Sequence, residues 1–364
     1  MNLLNHIKKL DFFLIFSAVA LSVMGMIALY SIGLSEESFS LLYRQAGFFI
    51  ASIFLMIFVS LFDNRNIREN SALILTLYFL CIVALLGIFF FAPEIRGIKS
   101  WYKIGSLSFN PIEITKISLI IILAKYFSKR HVELYKIKHI ILSGIYAFIP
   151  SVLIFLQPEF GSVMVIVAIW VGILLVSGIR LKDFILLCFA SLIAFGVLWS
   201  FLLEPYQKDR IINFVNPEED PLKGSWNRDQ ALIAIGSGGI LGKGIGEGSQ
   251  VQNKFLPEPE TDFIFSVIAE EMGLVGVTAL LSFFGILFWR ILKVALEARS
   301  NFTRLFATGL SISIFFQMLI NIGMNLGILP VIGLPLPLVS YGGNNIVFAF
   351  LALGILQNMI ITES

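Results

Sequence analysis

Long apolar stretches recur along the whole chain and are separated by short polar breaks. An α-helix needs about 17–25 mainly apolar residues to cross the hydrocarbon core of a bilayer, and ten stretches reach that length. Their approximate bounds are 12–34, 41–62, 71–92, 111–128, 139–157, 160–178, 183–203, 262–289, 303–329 and 340–362. The pattern predicts an all-α polytopic membrane protein with about ten transmembrane helices.

Lys and Arg are concentrated in alternate breaks between these stretches. The basic breaks lie at 63–68, 129–138, 180–182 and 293–304. Cytoplasmic loops of membrane proteins carry an excess of Lys and Arg, so these breaks are predicted to face the cytoplasm, with both termini on the same side. The short outer loop 96–103 is an exception, because it carries the cations Arg96, Lys99 and Lys103.

One polar segment, 204–261, is much longer than the other breaks and falls on the predicted outer face. It is too long for a simple connector and too rich in Trp, Leu, Ile and Gly for a disordered linker. We therefore expect a folded extracytoplasmic loop between the seventh and eighth spans. The whole chain, 1–364, is predicted to be one integral-membrane domain.

The composition agrees with the span pattern. Hydrophobic residues make up 57% of the chain and charged residues 14%, against roughly 45–50% and about 25% in soluble domains. These values exclude a soluble globular fold and intrinsic disorder. The formal net charge is only +2, and no basic patch with interleaved aromatic residues is present, so nucleic acid is not a predicted partner.

Two charged residues inside the fourth span need an explanation, because a buried charge costs at least about 2.5–3.5 kcal/mol on membrane-insertion scales. Glu113 and Lys116 follow Asn110-Pro111 at the start of this span. Three residues apart on a helix, they can pair on one face. The pair either compensates its own burial or lines a cavity open to the outer leaflet, and spacing alone leaves both interpretations open.

Asp262 stands where the long loop enters the eighth span, shortly after Glu258. An aspartate at this position could cap the helix by accepting its free backbone N–H groups. It could also act as a general base. Glu270 and Glu271 follow about two turns later, and helical geometry allows at most one of them to share the face of Asp262.

The glycine-rich stretch Gly236 to Gly246 invites a nucleotide-binding interpretation. Neither a Walker A nor a G-x-G-x-x-G register fits it, so that interpretation fails. Its backbone amides could still bind an anion such as a pyrophosphate. Tight turns within the loop are the equally open alternative.

A set of short motifs runs through the chain from the second span to the last. They are Arg44-Gln45, Arg96-Gly97 with Trp101, Pro111 with Glu113 and Lys116, Gln157 to Gly161, Tyr206-Gln207 with Arg210, Asp220-Pro221 with Gly224, Ala234 to Gly239, Leu256 to Glu258, Thr261 to Phe265, Glu270 to Gly273, Asn321 to Asn325, Gly333 to Pro337 and Ser340 to Gly343. In their number and order these motifs resemble those of the SEDS proteins, the RodA/FtsW family of membrane peptidoglycan glycosyltransferases. Length and the short N-terminal segment are more similar to the elongation-type members.

The resemblance implies an enzyme that polymerises lipid II, a disaccharide-pentapeptide on undecaprenyl pyrophosphate, for cell elongation and shape. It implies Asp262 as the general base, within hydrogen-bond reach of the acceptor hydroxyl. The residues implied to bind or support the substrate and its pyrophosphate are Glu113, Lys116, Arg96, Lys99, Trp101, Arg210, Glu258 and Ser340. No cofactor is assigned, and a divalent cation, Mg²⁺ or Mn²⁺, is kept as an alternative.

The same resemblance implies a multi-pass protein of the bacterial cytoplasmic (inner) membrane, with its active site on the outer face. Its expected partners are lipid II, the growing glycan strand, membrane lipid and a class B penicillin-binding protein with transpeptidase activity. Two other functions fit a polytopic fold with charges inside the membrane. One is a flippase or transporter of the lipid-linked precursor, and the other is a non-catalytic scaffold for the transpeptidase.

Overall fold

The computed structural model describes residues 9–62, 70–93, 100–105, 107–129, 137–202, 208, 212, 214 and 226–363. The helices in these parts are α1 (Phe12–Glu36), α2 (Ser40–Leu61), α3 (Ser71–Phe91), α4 (Pro111–Ser128), α5 (Ile137–Phe155), α6 (Phe160–Ser177), α7 (Leu181–Val197, continued by a π-helical turn, Leu198–Leu202), α8 (Trp226–Ser237), α9 (Ser249–Gln252), α10 (Ile264–Glu297), α11 (Asn301–Asn325) and α12 (Gly343–Glu363). Two short strands, β1 (Tyr102–Ile104) and β2 (Leu107–Phe109), pair as an antiparallel hairpin.

The ten predicted spans correspond to ten long helices, so the predicted architecture of a polytopic all-α membrane protein is confirmed. Among the described residues, nine helices are long and apolar enough to cross a membrane. The tenth is α4, which carries Glu113, Lys116 and Lys125 and is nevertheless mostly buried. Neighbouring helices, not lipid, surround it.

Polar residues at the helix starts explain where several spans begin. The Asp11 carboxylate accepts the N–H of Leu14 at 3.1 Å, and the Asn110 side chain accepts that of Ile112 at 2.9 Å. Pro111 occupies the first turn of α4, where its missing N–H leaves no unsatisfied donor. These caps stabilise the ends of helices whose interiors are almost entirely apolar.

Packing divides the bundle into a closely packed centre and one outlying helix. Helix α12 packs along α2, α10 packs between α1 and α11, and α11 also contacts α4 and α6. Helix α7 is the least buried of the apolar spans. The most buried of the long helices are α4, α11 and α12, which form the centre of the bundle.

Helix α10 differs from the eighth span as predicted. The prediction was a span over 262–289, whereas the helix begins at Ile264 and ends at Glu297. It is also interrupted at Gly273, whose φ of 61° and ψ of −160° are not helical. Left-handed backbone of this kind favours glycine because a Cβ would clash.

The glycine-rich segment supplies the hydrogen bonds that the interruption removes. The amides of Lys243 and Gly244 donate to the carbonyls of Glu270 and Glu271, at 3.0 and 3.1 Å. In the other direction, the amides of Leu274 and Val275 donate to the carbonyls of Gly239 and Ile240, also at 3.0 and 3.1 Å. The segment therefore forms tight turns, as one of the two interpretations predicted, and the amides of Lys243 and Gly244 bind carbonyls of α10.

Side chains reinforce the same contact. Glu270 is fully buried and accepts from Lys243 Nζ at 2.8 Å and from the Gln250 amide at 3.0 Å. Glu271 accepts the hydroxyl of Ser31 in α1. The two carboxylates that follow Asp262 in the sequence thus hold the loop segment 237–252 and α1 against α10.

The hairpin was not predicted. Its strands are three residues long and pair Tyr102 with Phe109 and Lys103 with Ser108. It lies between α3 and α4 in the chain and marks one end of the bundle, which is called the hairpin end below. Residues 226–261 of the predicted loop lie between α7 and α10, and their helices α8 and α9 pack on α10 and α1.

Candidate active site

A cavity of about 900 Å³ opens at the hairpin end of the bundle. Its walls come from α2, the hairpin, the start of α6, the segment before α10 and the start of α12. The lining residues are Tyr43, Arg44, Gly47, Phe48, Ala51, Trp101, Lys103, Ser108, Glu159, Glu258, Glu260, Thr261, Tyr341, Gly342, Gly343 and Asn344. The cavity is large enough for part of a sugar-bearing ligand.

Both signs of charge face this cavity. Arg44 of α2 and Lys103 of the hairpin are exposed and line it. Trp101 also lines it, and its exposed fraction is 37%. Two carboxylates, Glu258 and Glu260, come from the segment that precedes α10. Cations, an aromatic ring and carboxylates in one cavity suit a ligand that combines phosphate oxygens with sugar hydroxyls.

Asp262 lies immediately next to this lining, after Thr261. The structure places Phe263, not Asp262, at the N-cap of α10, so the simple cap interpretation does not describe its position. Asp262 Oδ2 lies 3.3 Å from the point where a Cβ on Gly333 would stand. Gly333 has a φ of 71° and leaves room for the carboxylate.

Two buried amides fix the backbone of Asp262. Asn321 Nδ2 and Asn325 Nδ2, one turn apart on α11, donate to its carbonyl oxygen at 3.0 and 2.9 Å. Asn325 Oδ1 in turn accepts the hydroxyl of Ser266 at 2.6 Å. All three side chains are fully buried, so α11 holds the chain that carries Asp262 from inside the bundle.

The residues before Asp262 are held from the side of α12. The Ser340 hydroxyl donates to the carbonyl of Thr261 at 2.6 Å, and the Tyr341 amide donates to that of Glu260 at 2.8 Å. Gln45 of α2 accepts the Gly342 amide at 3.1 Å. Ser340 is buried and contacts the Asp262 segment instead of lining the cavity.

Glu159 lines the cavity just before α6, and its pKa is raised from 4.5 to about 7. Burial is the main cause, and the negative charges of Glu113 and Asp262 add to it. Lys116 and a hydrogen bond from Ser100 oppose the rise. Glu159 therefore links the cavity electrostatically to the charged pair in α4 and to Asp262.

Glu113 and Lys116 pair as predicted, with Lys116 Nζ 2.8 Å from Glu113 Oε1. Both line a separate small pocket of about 30 Å³, together with Gln317 of α11 and Asn345 of α12. The Lys116 side chain is only 3% exposed. The pair thus lies beneath the large cavity and does not form its surface.

The predicted site residues therefore divide into three groups. Trp101 and Glu258 line the large cavity, and Asp262 flanks it. Ser340, Glu113 and Lys116 lie in the layer behind it. Arg96, Lys99 and Arg210 lie outside the described residues.

Sequence reasoning missed several residues of the site. Arg44, Asn321 and Asn325 belonged to the motifs, but no role was assigned to them from the residues themselves. The spacing of Asn321 and Asn325, four apart in an apolar helix, was an available signal, because buried amides need partners. Nothing in the linear sequence connected them to the backbone of Asp262.

In the described parts of the chain, no three His, Cys, Asp or Glu side chains come together as a metal site. The carboxylates of the cavity wall can each offer oxygen to a cation singly. Mg²⁺ often binds in this way, through one or two carboxylates and the phosphates of a substrate.

The sequence pattern of the FtsW/RodA/SpoVE family of cell cycle proteins matches residues 9–364. The peptidoglycan glycosyltransferase MrdB of Escherichia coli strain K12 is 35% identical over 343 residues, which are 94% of this chain and 90% of that protein. Stage V sporulation protein E of Bacillus subtilis strain 168 is 32% identical over 361 residues, 96% of each chain.

Solved structures show the same likeness. A chain from a peptidoglycan synthase complex, studied for the coordination of polymerization and crosslinking, superposes with a TM-score of 0.82 at 28% identity, covering 97% of this chain and 98% of that one. The rod shape determining protein RodA of Thermus thermophilus gives a TM-score of 0.73 at 27% identity, with 97% of each chain covered.

Fold and site together define a polytopic all-α membrane protein with a charged cavity at one end of its helix bundle. The chain belongs to the FtsW/RodA/SpoVE family, whose pattern spans nearly its whole length.

Proposed function

We propose that this protein is a peptidoglycan glycosyltransferase that polymerises lipid II into glycan strands for cell elongation and shape, with Asp262 as the general base. The observation that carries the proposal is the position of Asp262. Two buried asparagines hold its backbone at the edge of the 900 Å³ cavity. Similarity to MrdB over 94% of the chain supports the class of reaction.

The reaction needs a base, cations and an apolar path for the lipid. In the proposed step, the acceptor sugar hydroxyl attacks the anomeric carbon of the growing strand, and the bond from that carbon to the pyrophosphate oxygen breaks. The hydroxyl proton passes to the Asp262 carboxylate, and the pyrophosphate leaves with the bonding electron pair. The anomeric configuration inverts because attack and departure occur on opposite faces.

The geometry around Asp262 suits this role. A general base contributes about 10²–10⁴ in rate when it is held within hydrogen-bond reach of the proton it takes. The contacts from Asn321, Asn325 and Ser340 fix the backbone on both sides of the carboxylate. Such support keeps the base in place while the substrate enters.

Arg44 and Lys103 are the described cations best placed for the pyrophosphate, because both are exposed to the cavity. Lys116 lies behind this surface and is paired with Glu113, so the pair as a whole adds no net charge to the cavity. A divalent cation, Mg²⁺ or Mn²⁺, would be held by a carboxylate of the cavity wall, Glu258 or Glu260, and would supply positive charge for the leaving group.

The test is a polymerisation assay on purified protein. In detergent, with no ion or voltage gradient, wild-type protein should convert lipid II into glycan strands, whereas Asp262→Asn should not. A flippase would make no polymer under these conditions. Wild-type protein that binds lipid II without producing strands would exclude the enzymatic function.

The protein is placed in the bacterial cytoplasmic membrane with both termini inside and the hairpin end outside. The distribution of Lys and Arg over the breaks supports this orientation. A class B penicillin-binding protein is the proposed partner, and the exposed apolar faces of α10 and α11 are its proposed contact. These faces include Leu274, Val275, Leu281, Phe315 and Phe316.

A further inference from the structure

The two faces of the hairpin have different surroundings. Side chains alternate along a strand, and here Trp101, Lys103 and Ser108 line the cavity. Tyr102 and its cross-strand partner Phe109 lie on the opposite face, with their rings stacked at a centroid distance of 6.5 Å. One face of the hairpin therefore lines the cavity, and the other face contacts the helix bundle.

Tyr102 reaches into helix α3. Its hydroxyl donates to the carbonyl of Ala84 at 2.6 Å. The hydroxyl oxygen lies only 2.5 Å from the point where a Cβ on Gly87 would stand. Gly87 thus forms a notch in an otherwise apolar helix, and the phenol fills it. Burial raises the pKa of Tyr102 further above neutral pH, where an ordinary phenol is already protonated and can donate.

Further contacts hold the surroundings of this notch. Gln157 Nε2 donates to the carbonyl of Leu85 at 3.0 Å, and Ser100 Oγ donates to the carbonyl of Gln157 at 3.1 Å. On the other strand, Asn344 Nδ2 of α12 donates to the Ser108 carbonyl at 3.0 Å. Strand β1 is thus tied to α3 and strand β2 to α12.

We propose that Tyr102, seated in the notch at Gly87, is a positioning residue that sets Trp101 and Lys103 against the substrate in the cavity. The proposal rests on the proposed function, because the ligand it positions for is the lipid-linked sugar pyrophosphate. Tyr102 does not face the cavity itself. It acts through the two side chains on either side of it, which alternation directs to the ligand.

The phenol hydroxyl can be removed without removing the ring. Tyr102→Phe loses the bond to the Ala84 carbonyl and keeps the stacking on Phe109. Contacts from the hairpin are present in both the ground state and the transition state, so their loss should raise KM. Because Lys103 also faces the negative charge that grows on the departing pyrophosphate, kcat should fall as well, but by less than KM rises. A net hydrogen bond of ordinary strength corresponds to a rise in KM of about 2- to 13-fold.

A double-mutant cycle tests the notch directly. Gly87→Ala places a methyl group against the hydroxyl and should raise KM more than Tyr102→Phe does. In the combined variant the hydroxyl is absent. The methyl group that Gly87→Ala introduces would then lie 3.7 Å from Cζ of the ring, which is an ordinary van der Waals contact. Gly87→Ala should therefore be much less harmful in the Tyr102→Phe background than in wild type.

Gly285→Ala is the matched control. Gly285 lies in α10, and a Cβ there would meet nothing within 4 Å. The variant makes the same chemical change in a membrane helix away from the notch. Its KM should equal that of wild type, and its melting temperature should be the same or higher, because alanine is the better helix former.

Hydrogen–deuterium exchange of the hairpin amides gives a readout that needs no activity. Tyr102→Phe should speed exchange in residues 100–109, with no change in the melting temperature of the bundle. An unchanged KM and unchanged exchange in Tyr102→Phe would overturn the proposal. So would equal effects of Gly87→Ala in both backgrounds, or a loss of kcat alone.

The two proposals fail in different ways. Wild-type protein without polymerising activity would exclude the proposed function, and the exchange experiment would still decide whether Tyr102 orders the hairpin. Active wild-type protein with an insensitive Tyr102→Phe variant would exclude the positioning role alone. If Gly87→Ala alone does not fold, recovery of folded protein in the double variant supports the contact, and failure of both overturns it.

Discussion

The main chain at Asp262 is held by side chains of α11 and by Ser340. The amides of Asn321 and Asn325 bind its carbonyl oxygen, and Ser340 binds the carbonyl of Thr261. A change confined to the carboxylate therefore leaves the contacts that fix this segment intact. Asp262 can be tested for chemistry with little disturbance of the structure.

Asp262→Asn should fold and melt almost as wild type does, because asparagine keeps the size and polarity of the side chain. It does not accept a proton at neutral pH. Since general-base assistance is worth about 10²–10⁴ in rate, polymerisation of lipid II should fall at least about a hundredfold. The measurements are single-turnover polymerisation and thermal unfolding of the same preparation.

Asp229→Asn is the control with the same chemical change. Asp229 is paired with Arg228 at 3.0 Å in α8, and its side chain is 47% exposed. This variant should polymerise at the wild-type rate. If Asp262→Asn keeps near-normal activity, the base must be sought among Glu113, Glu258 and Glu159.

Glu159 makes stability depend on pH. Its carboxyl has a pKa of about 7 in the folded protein and an ordinary value of 4.5, so the folded state holds the proton more strongly than the unfolded chain. Between these pH values the unfolded state binds fewer protons, and the free energy of unfolding falls as the pH rises. Above about pH 7 the loss levels off.

Glu159→Gln removes this titration. The melting temperature of wild type should fall relative to that of Glu159→Gln between pH 4.5 and about 7, and the difference should be constant at higher pH. If the melting temperatures of the two proteins differ by the same amount at every pH, the raised pKa of Glu159 does not contribute to the pH dependence of stability. The comparison is made within one buffer series, so that all other titrating groups cancel.

At the scale of elements, the interruption of α10 depends on close approach of two backbones. A Cβ on Gly242 would lie 2.1 Å from the carbonyl oxygen of Glu271, and Gly242 has a φ of 81°. One on Gly238 would lie 1.9 Å from the carbonyl oxygen of Ala269. Gly238 and Gly242 are thus needed for contact with the broken helix.

Gly242→Ala should lower the free energy of unfolding by at least about 2 kcal/mol. A left-handed backbone costs a non-glycine residue about 1–2 kcal/mol, and the forced contact adds about 1–3 kcal/mol. Gly236→Ala serves as its control, because a Cβ there meets nothing within 4 Å and the residue lies inside α8. Alanine is the better helix former, so this control should be neutral or stabilising. Thermal unfolding in one detergent compares the two, and equal melting temperatures would contradict the close contact.

The elements that the sequence predicted well are those set by local composition. The bounds of α4, Pro111–Ser128, agree with the prediction because Asn110 and Pro111 mark its start and basic residues follow its end. The break at Gly273 was not predicted because its hydrogen bonds come from residues about 30 positions earlier. The hairpin was missed because its strands are three residues long and are stabilised by α3 and α12.

At the scale of the whole molecule, the orientation is the property most open to a direct test. Glu247 is exposed in the segment that binds α10, and Arg299 is exposed between α10 and α11 at the opposite end of the bundle. In a background without Cys188, the exposed native cysteine, Glu247→Cys should react with a membrane-impermeant thiol reagent in intact cells. Labelling that requires permeabilisation would reverse the proposed topology.

Arg299→Cys is the internal control for the same experiment. It should react only after the cells are permeabilised, because residues 293–304 form one of the basic breaks. A reversed pattern in both variants would place the cavity in the cytoplasm, where an undecaprenyl-linked acceptor on the outer face could not reach it.

The site was predicted in part for a physical reason that applies to the whole chain. Asp262, Glu113 and Lys116 stood out because charges at membrane depth are costly and need a cause. Arg44 and Lys103 come together only when α2, the hairpin and the start of α12 surround one cavity. Residue type identified the charged positions, whereas the assembly of distant helices decided which of them face the ligand.

The interruption of α10 also bears on biogenesis. Residues 239–244, whose backbone completes the hydrogen bonds of the break, leave the ribosome before α10 does. When α10 enters the bilayer its partners have already been synthesised, so the open peptide groups need not face lipid, where each would cost several kcal/mol. A rearranged gene that encoded α10 ahead of this segment would remove that protection during insertion, even though the finished fold would contain the same contacts.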